Sequence, residues 1–62
     1  MTIPDPKFRV GQVVVIIDYH RFIVIKTKCW SDRWIYGYYE QDGTIKQIPE
    51  ERIRLVSLEE IR

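Results

Sequence analysis

A chain of 62 residues carrying ten lysines and arginines against nine aspartates and glutamates, net charge +1, makes one domain and lacks the strongly basic balance of a dedicated phosphate binder. At this length folding buries only about 60% of the unfolded chain's surface, which argues against a deep private pocket and makes docking or oligomerisation a source of extra stability.

Pro4 and Pro6 fix φ and remove two backbone donors, so residues 1–7 read as an extended, mobile lead-in. Phe8 and Val10 precede Gly11, which permits a sharp change of direction into a first strand from about Gln12 to Ile17. Asp18-Tyr19-His20-Arg21 is short enough for a hairpin loop, and Phe22-Ile23-Val24-Ile25, dense in β-branched residues, opens a second strand running to about Lys28. Cys29 to Arg33 reads as a loop. Residues 34–49, Trp-Ile-Tyr-Gly-Tyr-Tyr-Glu-Gln-Asp-Gly-Thr-Ile-Lys-Gln-Ile-Pro, form the surest unit: a third strand from Trp34 to Gln41 and a fourth from Thr44 to Ile48, joined at Asp42-Gly43 by a type I′ turn. Pro49 suits the start of one helical turn, Ile53 to Leu58 a fifth strand, and residues 59–62 a polar tail. A C-terminal helix over 49–62 is the second reading, since Ile53, Val56 and Leu55 also fit a 3.6 period.

Five short strands with tight turns and one helical turn before the last are the ingredients of a small antiparallel barrel. The run Phe8-x-Val10-Gly11-Gln12-x-Val14, the Trp- and Tyr-rich third strand, and Ile48-Pro49-Glu50-Glu51-Arg52-Ile53 resemble the SH3-like barrel superfamily, which includes Tudor, KOW-type and CarD-type modules. The resemblance implies an all-β, five-stranded SH3-like barrel over residues 8–58 and a binding function. Type II plasmid dihydrofolate reductases share that architecture, but their Val-Gln-Ile-Tyr stretch is not matched by Lys46-Gln47-Ile48-Pro49, so the likeness implies no such activity.

Strand polarity is the first functional signal. Val13 to Ile17 and Phe22 to Ile25 are apolar on both faces, whereas a strand with one wet face should alternate. One face is core. The other is expected to be an outward patch of Val14 and Ile16 with either Ile23 and Ile25 or Phe22 and Val24; alternatively, the strands bend and feed the core from both faces. The second signal is aromatic. Trp34, Tyr36 and Tyr38 share one face of their strand and Ile35, Gly37 and Tyr39 the other. Outward, the Trp34 ladder makes a platform for a peptide, a methylated side chain or bases; inward, it is core. Trp30 is expected on the surface. The third signal is a basic cluster of Arg21, Lys26, Lys28 and Arg33 around Trp30, which suits either nucleic acid or a lysine-protected strand edge.

His20 near Asp18, and Cys29 beside Lys28, lack the partners that catalysis requires. Cys29 and His20 are the only residues of their kinds, so no disulfide, metal or other cofactor is expected, and a lone thiol suits the reducing cytoplasm. No stretch approaches the roughly 18 apolar residues of a membrane span. The leading expectation is therefore a non-enzymatic adaptor that docks on a protein partner or on itself through Val14, Ile16, Ile23, Ile25, Trp30, Trp34, Tyr36 and Tyr38. A Tudor- or KOW-like nucleic-acid binder using Arg21, Lys26, Lys28, Trp30 and Arg33 is the alternative. Neither a membrane nor a small-molecule substrate is expected.

Overall fold

The computed structural model describes residues 2–61; Met1 of the lead-in and Arg62 of the tail lie outside the described residues. Among the described residues six strands form: β1 (Val13–Ile16), β2 (Arg21–Val24), β3 (Thr27–Trp30), β4 (Trp34–Tyr39), β5 (Ile45–Pro49) and β6 (Ile53–Leu55), with a 3-10 turn at Glu50–Arg52 and a short helix α1 at Leu58–Ile61. The all-β class holds, but the ladders build two antiparallel three-stranded sheets, β2-β1-β6 and β3-β4-β5, rather than one sheet closed on itself. The expected second strand divides at Ile25-Lys26. Ile25 donates its N–H to the Gln12 carbonyl at 3.0 Å, while Lys26 donates to Gly37 at 2.8 Å. Successive residues of an extended chain bond to opposite sides, so the chain changes sheets there. Cys29 and Trp30 complete β3, which shortens the expected loop to residues 31–33.

The turns follow local chemistry. Gln12 N–H donates to the Arg9 carbonyl at 3.1 Å, and the Gln12 side chain accepts the Arg9 N–H at 2.9 Å. Gly11 in that turn sits at φ 92°, where a side chain would be strained. The β4–β5 hairpin differs from the two-residue type I′ turn. Gly43 has φ 88°, but Asp42 does not have positive φ, as type I′ would require. Instead Gly43 N–H donates to Glu40 and Glu40 N–H to Thr44, a three-residue loop of the kind that ends on a left-handed glycine. Asp42 Oδ1 accepts from both Thr44 N and Oγ1 at 3.0 and 2.7 Å; those bonds hold its carboxyl below the usual range.

Directly opposed residues in an antiparallel ladder share a face. Val14 opposes Ile23 and Leu55, Ile16 opposes Arg21 and Ile53, and Tyr36 opposes Ile48. These faces meet in one core of Phe8, Val14, Ile16, Ile23, Ile25, Tyr36, Tyr38, Ile48 and Ile53, with Trp34 packed against it. Gly37, between Tyr36 and Tyr38, is required by close approach: a Cβ there would fall inside van der Waals contact of Thr27 Oγ1, its cross-strand partner. Gly37→Ala is expected to cost about 1–3 kcal/mol through overpacking, and adding Thr27→Ala should recover most of it. Urea melts of the two singles and the double test this; additive losses would mean that Thr27 is not the obstacle.

Segments near both ends of the described residues are tied down. The expected mobile lead-in is held by Trp34 Nε1–H donating to the Pro4 carbonyl at 2.7 Å, Lys7 N–H to Glu50 at 3.0 Å and Phe8 N–H to the Tyr36 hydroxyl at 3.4 Å. At the other end the expected fifth strand stops at Leu55 and part of the expected tail is helix. Its signal is the Ser57-Leu58-Glu59-Glu60 pattern of a capping box, of which the glutamate half forms: Ser57 N–H and Oγ–H both donate to Glu60 Oε1 at 3.0 Å, while Glu60 N–H donates to the Ser57 carbonyl.

Candidate interaction surface

The doubly apolar strands have a different outer face from the one expected. Val14, Ile16, Ile23 and Ile25 are buried in the core, because they share the face that meets β4. The outward set on β1 and β2 is the opposite parity, where Val13 opposes Val24 and Val15 opposes Phe22. Val13, Phe22 and Val24 are 47%, 51% and 38% exposed, and Tyr39 is 54% exposed. Val15 belongs to this outer face yet is fully buried. It lies between its two cross-strand partners, Phe22 and Arg54, and the Arg54 guanidinium is clamped by both oxygens of Glu60. That guanidinium, with the Ser57 N–H, holds the Glu60 carboxyl down to about 2. Helix α1 thus pins the arginine over one end of the face and leaves the Phe22 end open.

At the open end lies a cleft of about 300 Å³ lined chiefly by Val13, Phe22, Val24, Lys26 and Tyr39. Arg21 at its rim donates through Nη1 to both carboxylate oxygens of Glu40 at 2.9 and 3.2 Å, a pair that bridges β2 and the end of β4. Lys26 is exposed and forms no ion pair among the described residues.

Comparison with family models, curated proteins and solved structures returned no match.

The aromatic ladder faces inward. Tyr36 is fully buried and Tyr38 nearly so, so neither is part of an outer platform. Tyr36 donates its O–H to Glu50 at 2.6 Å and packs edge-on against Phe8 at 5.6 Å. Burial, reinforced by the bond to the Glu50 carboxylate, pushes its phenol up to about 12. Trp34 is half-buried, and Trp30, in β3 rather than a loop, is also half-buried, stacked edge-on against Trp34 at 5.6 Å.

The basic cluster is divided. Arg21 is committed to Glu40, and Arg33 to Glu51 at 2.6 Å. Lys28 opposes Tyr36 and Trp30 opposes Trp34, so Lys28 and Trp30 share one face of β3, with Lys26 farther along the bent strand. Asp18, the carboxylate nearest His20 in sequence, is taken by Arg52 Nη1 at 2.8 Å. His20 itself adopts φ 52° at the end of the β1–β2 loop, a conformation short hairpin loops demand. Among the described residues there is no group of three His, Cys, Asp or Glu side chains placed for a metal and no helix long and apolar enough to cross a membrane.

Phe22 and Val24 were legible in sequence as one of two alternating sets. Val13 and Tyr39 carry no separate signal in the sequence, although each follows by parity once Val14 and Tyr36 point inward.

Proposed function

We propose that the chain is a non-enzymatic protein-interaction module of SH3-like architecture, docking a partner on the outer face of the β2-β1-β6 sheet. The architecture is supported by β2 and β3 being two halves of one bent strand and by the 3-10 turn that leads into β6. The observation that carries the function is the exposure of Val13, Phe22, Val24 and Tyr39 around one cleft, since contiguous exposed apolar area marks an interaction surface. The bound cations Arg21 and Arg33 weaken the nucleic-acid alternative, because a phosphate would have to displace a carboxylate from each.

The test is selection of binding peptides from a displayed random library against the wild type, followed by Phe22→Thr. Threonine keeps the β preference of the site while removing the ring, so the domain should stay folded and affinity should fall at least about tenfold, the loss of a buried aromatic anchor. Peptides that bind the variant as well as the wild type would refute the surface. Single-stranded RNA, titrated in parallel, is expected to bind weakly; tight binding that collapses with added salt and with Lys26→Glu/Lys28→Glu would instead support the nucleic-acid alternative.

A further inference from the structure

We infer that the occupant of this cleft is an extended, acidic segment of another protein that adds as a strand to the free edge of β2. The inference rests on the interaction-module reading and specifies its partner. β2 pairs with β1 alone, so one of its edges is unpaired. The N–H of Ile25 points toward β1, donating to Gln12, and alternation sends the backbone groups of Ile23 and Arg21 the same way. Those of Phe22 and Val24 therefore point away from β1. The next group on that side, Lys26 N–H, reaches Gly37 of β4; beyond it no ladder joins β2 to β4, and the two N–H and two C=O groups of Phe22 and Val24 on that side have no backbone partner among the described residues. The apolar cleft opens along this same edge, with Tyr39 on its far side.

An open edge is ordinarily blocked by charge, proline or brevity. β3 carries Lys28, β5 carries Lys46 and Pro49, and β6 is three residues long and carries Arg54. β2 is itself four residues long, but its segment Phe22-Ile23-Val24 carries neither charge nor proline, and the flanking Arg21 is engaged by Glu40. A strand laid on it would continue the ladder and place alternate side chains, about 7 Å apart, against the exposed Phe22, Val24 and Tyr39.

Charge selects the partner. Lys26, at the end of the open stretch, has no ion pair among the described residues, and Arg21 stands at the other end. Antiparallel pairing of two copies through β2 would set Lys26 near the Arg21 end of its partner, where Glu40 is already engaged by Arg21 and offers no free carboxylate, whereas a carboxylate-bearing segment satisfies Lys26. The geometry matches strand addition, in which main-chain bonds supply affinity and alternate pockets supply selectivity.

The probe is the tightest peptide selected on the wild type, resynthesised with each backbone nitrogen methylated in turn. Strand addition predicts a period of two: methylation at every second residue lowers affinity at least about tenfold and the intervening positions change it by about twofold or less, because only alternate N–H groups meet β2. The selected peptides are expected to be acidic, and Lys26→Glu is expected to weaken them about fivefold while the same change with a Glu→Lys peptide restores binding. Peptides that need Phe22 but show no alternation under methylation would overturn strand addition and leave the interaction surface standing. Peptides indifferent to Phe22→Thr, or none at all, would overturn the surface itself. A wild-type dimer that dissociates in Phe22→Thr would assign the edge to a second copy and overturn the inference.

Discussion

Val14→Lys is expected to abolish cooperative folding, whereas Val13→Lys, one residue earlier on the same strand, is expected to leave stability within about 0.5 kcal/mol of the wild type. Val14 is fully buried and Val13 is 47% exposed, although both are valines in one apolar run. At position 14 the longer side chain has nowhere to go: Ile23 and Leu55 flank it in the ladder, and Ile16, Tyr36 and Ile48 complete the core. Overpacking costs about 1–3 kcal/mol, and an ammonium without a buried partner adds several kcal/mol or forces the lysine to give up its proton. A domain of this size has roughly 3–9 kcal/mol of stability in total, at 0.05–0.15 kcal/mol per residue. Thermal melts followed by circular dichroism are the measurement. A cooperative transition in Val14→Lys close to that of the wild type would mean that β1 presents its other face to the core, and every surface assignment above would invert.

Stability is expected to decline as pH rises from 10 to about 12, and Tyr36→Phe is expected to remove that decline. The phenol is pushed from 10 up to about 12 by burial and by the Glu50 carboxylate. Between those values the unfolded chain has released its proton and the folded chain retains it, so stability is fully present below pH 10 and is lost as pH rises toward 12. A rise of that size corresponds to on the order of 3 kcal/mol over the whole window. At neutral pH the phenylalanine variant should be less stable by about 1–2 kcal/mol, because Glu50 loses the 2.6 Å bond and the buried Phe8 N–H loses its acceptor. Urea melts of both proteins at pH 7, 9 and 11 test the sign: the gap between them should narrow by on the order of 1 kcal/mol from pH 9 to pH 11. Parallel decline in both proteins would show that Tyr36 does not carry the effect. The variant also reports on the lead-in, since Lys7 and Phe8 are anchored through the same Tyr36–Glu50 pair.

The outer-face reading has a mechanical corollary. Glu60 holds Arg54 across the α1 end of the face while Glu40 draws Arg21 from the β2 end, so two ion pairs border the exposed Phe22 and Val24. The first fixes Arg54, the cross-strand partner of the buried Val15, and the second engages Arg21 at the end of β2. The geometry that supports docking therefore depends on acidic residues outside the docking surface.

Much of the chain was determined locally. The β-branched runs of the first two strands, the glycine turn at Gly11, the hairpin between Trp34 and Pro49 and the helical turn after it follow from propensity and turn chemistry within a few residues, and the Ser57-x-x-Glu60 cap is equally local. The rest required long-range contacts. Whether Val14 or Val13, and Tyr36 or Ile35, faces the core is a choice of parity, and an apolar run satisfies both parities equally; only the meeting of Val14, Ile23 and Ile53 with Tyr36 and Ile48 decides it. The break at Ile25-Lys26 arises because Gln12 and Gly37, twenty-five residues apart in the numbering, claim adjacent N–H groups on opposite sides. Local propensity and turn chemistry dictate that strands form and where most of them turn; which faces enter the core and which edge of β2 stays open follow from contacts between distant segments, because burial is shared between them and cannot be read from either alone.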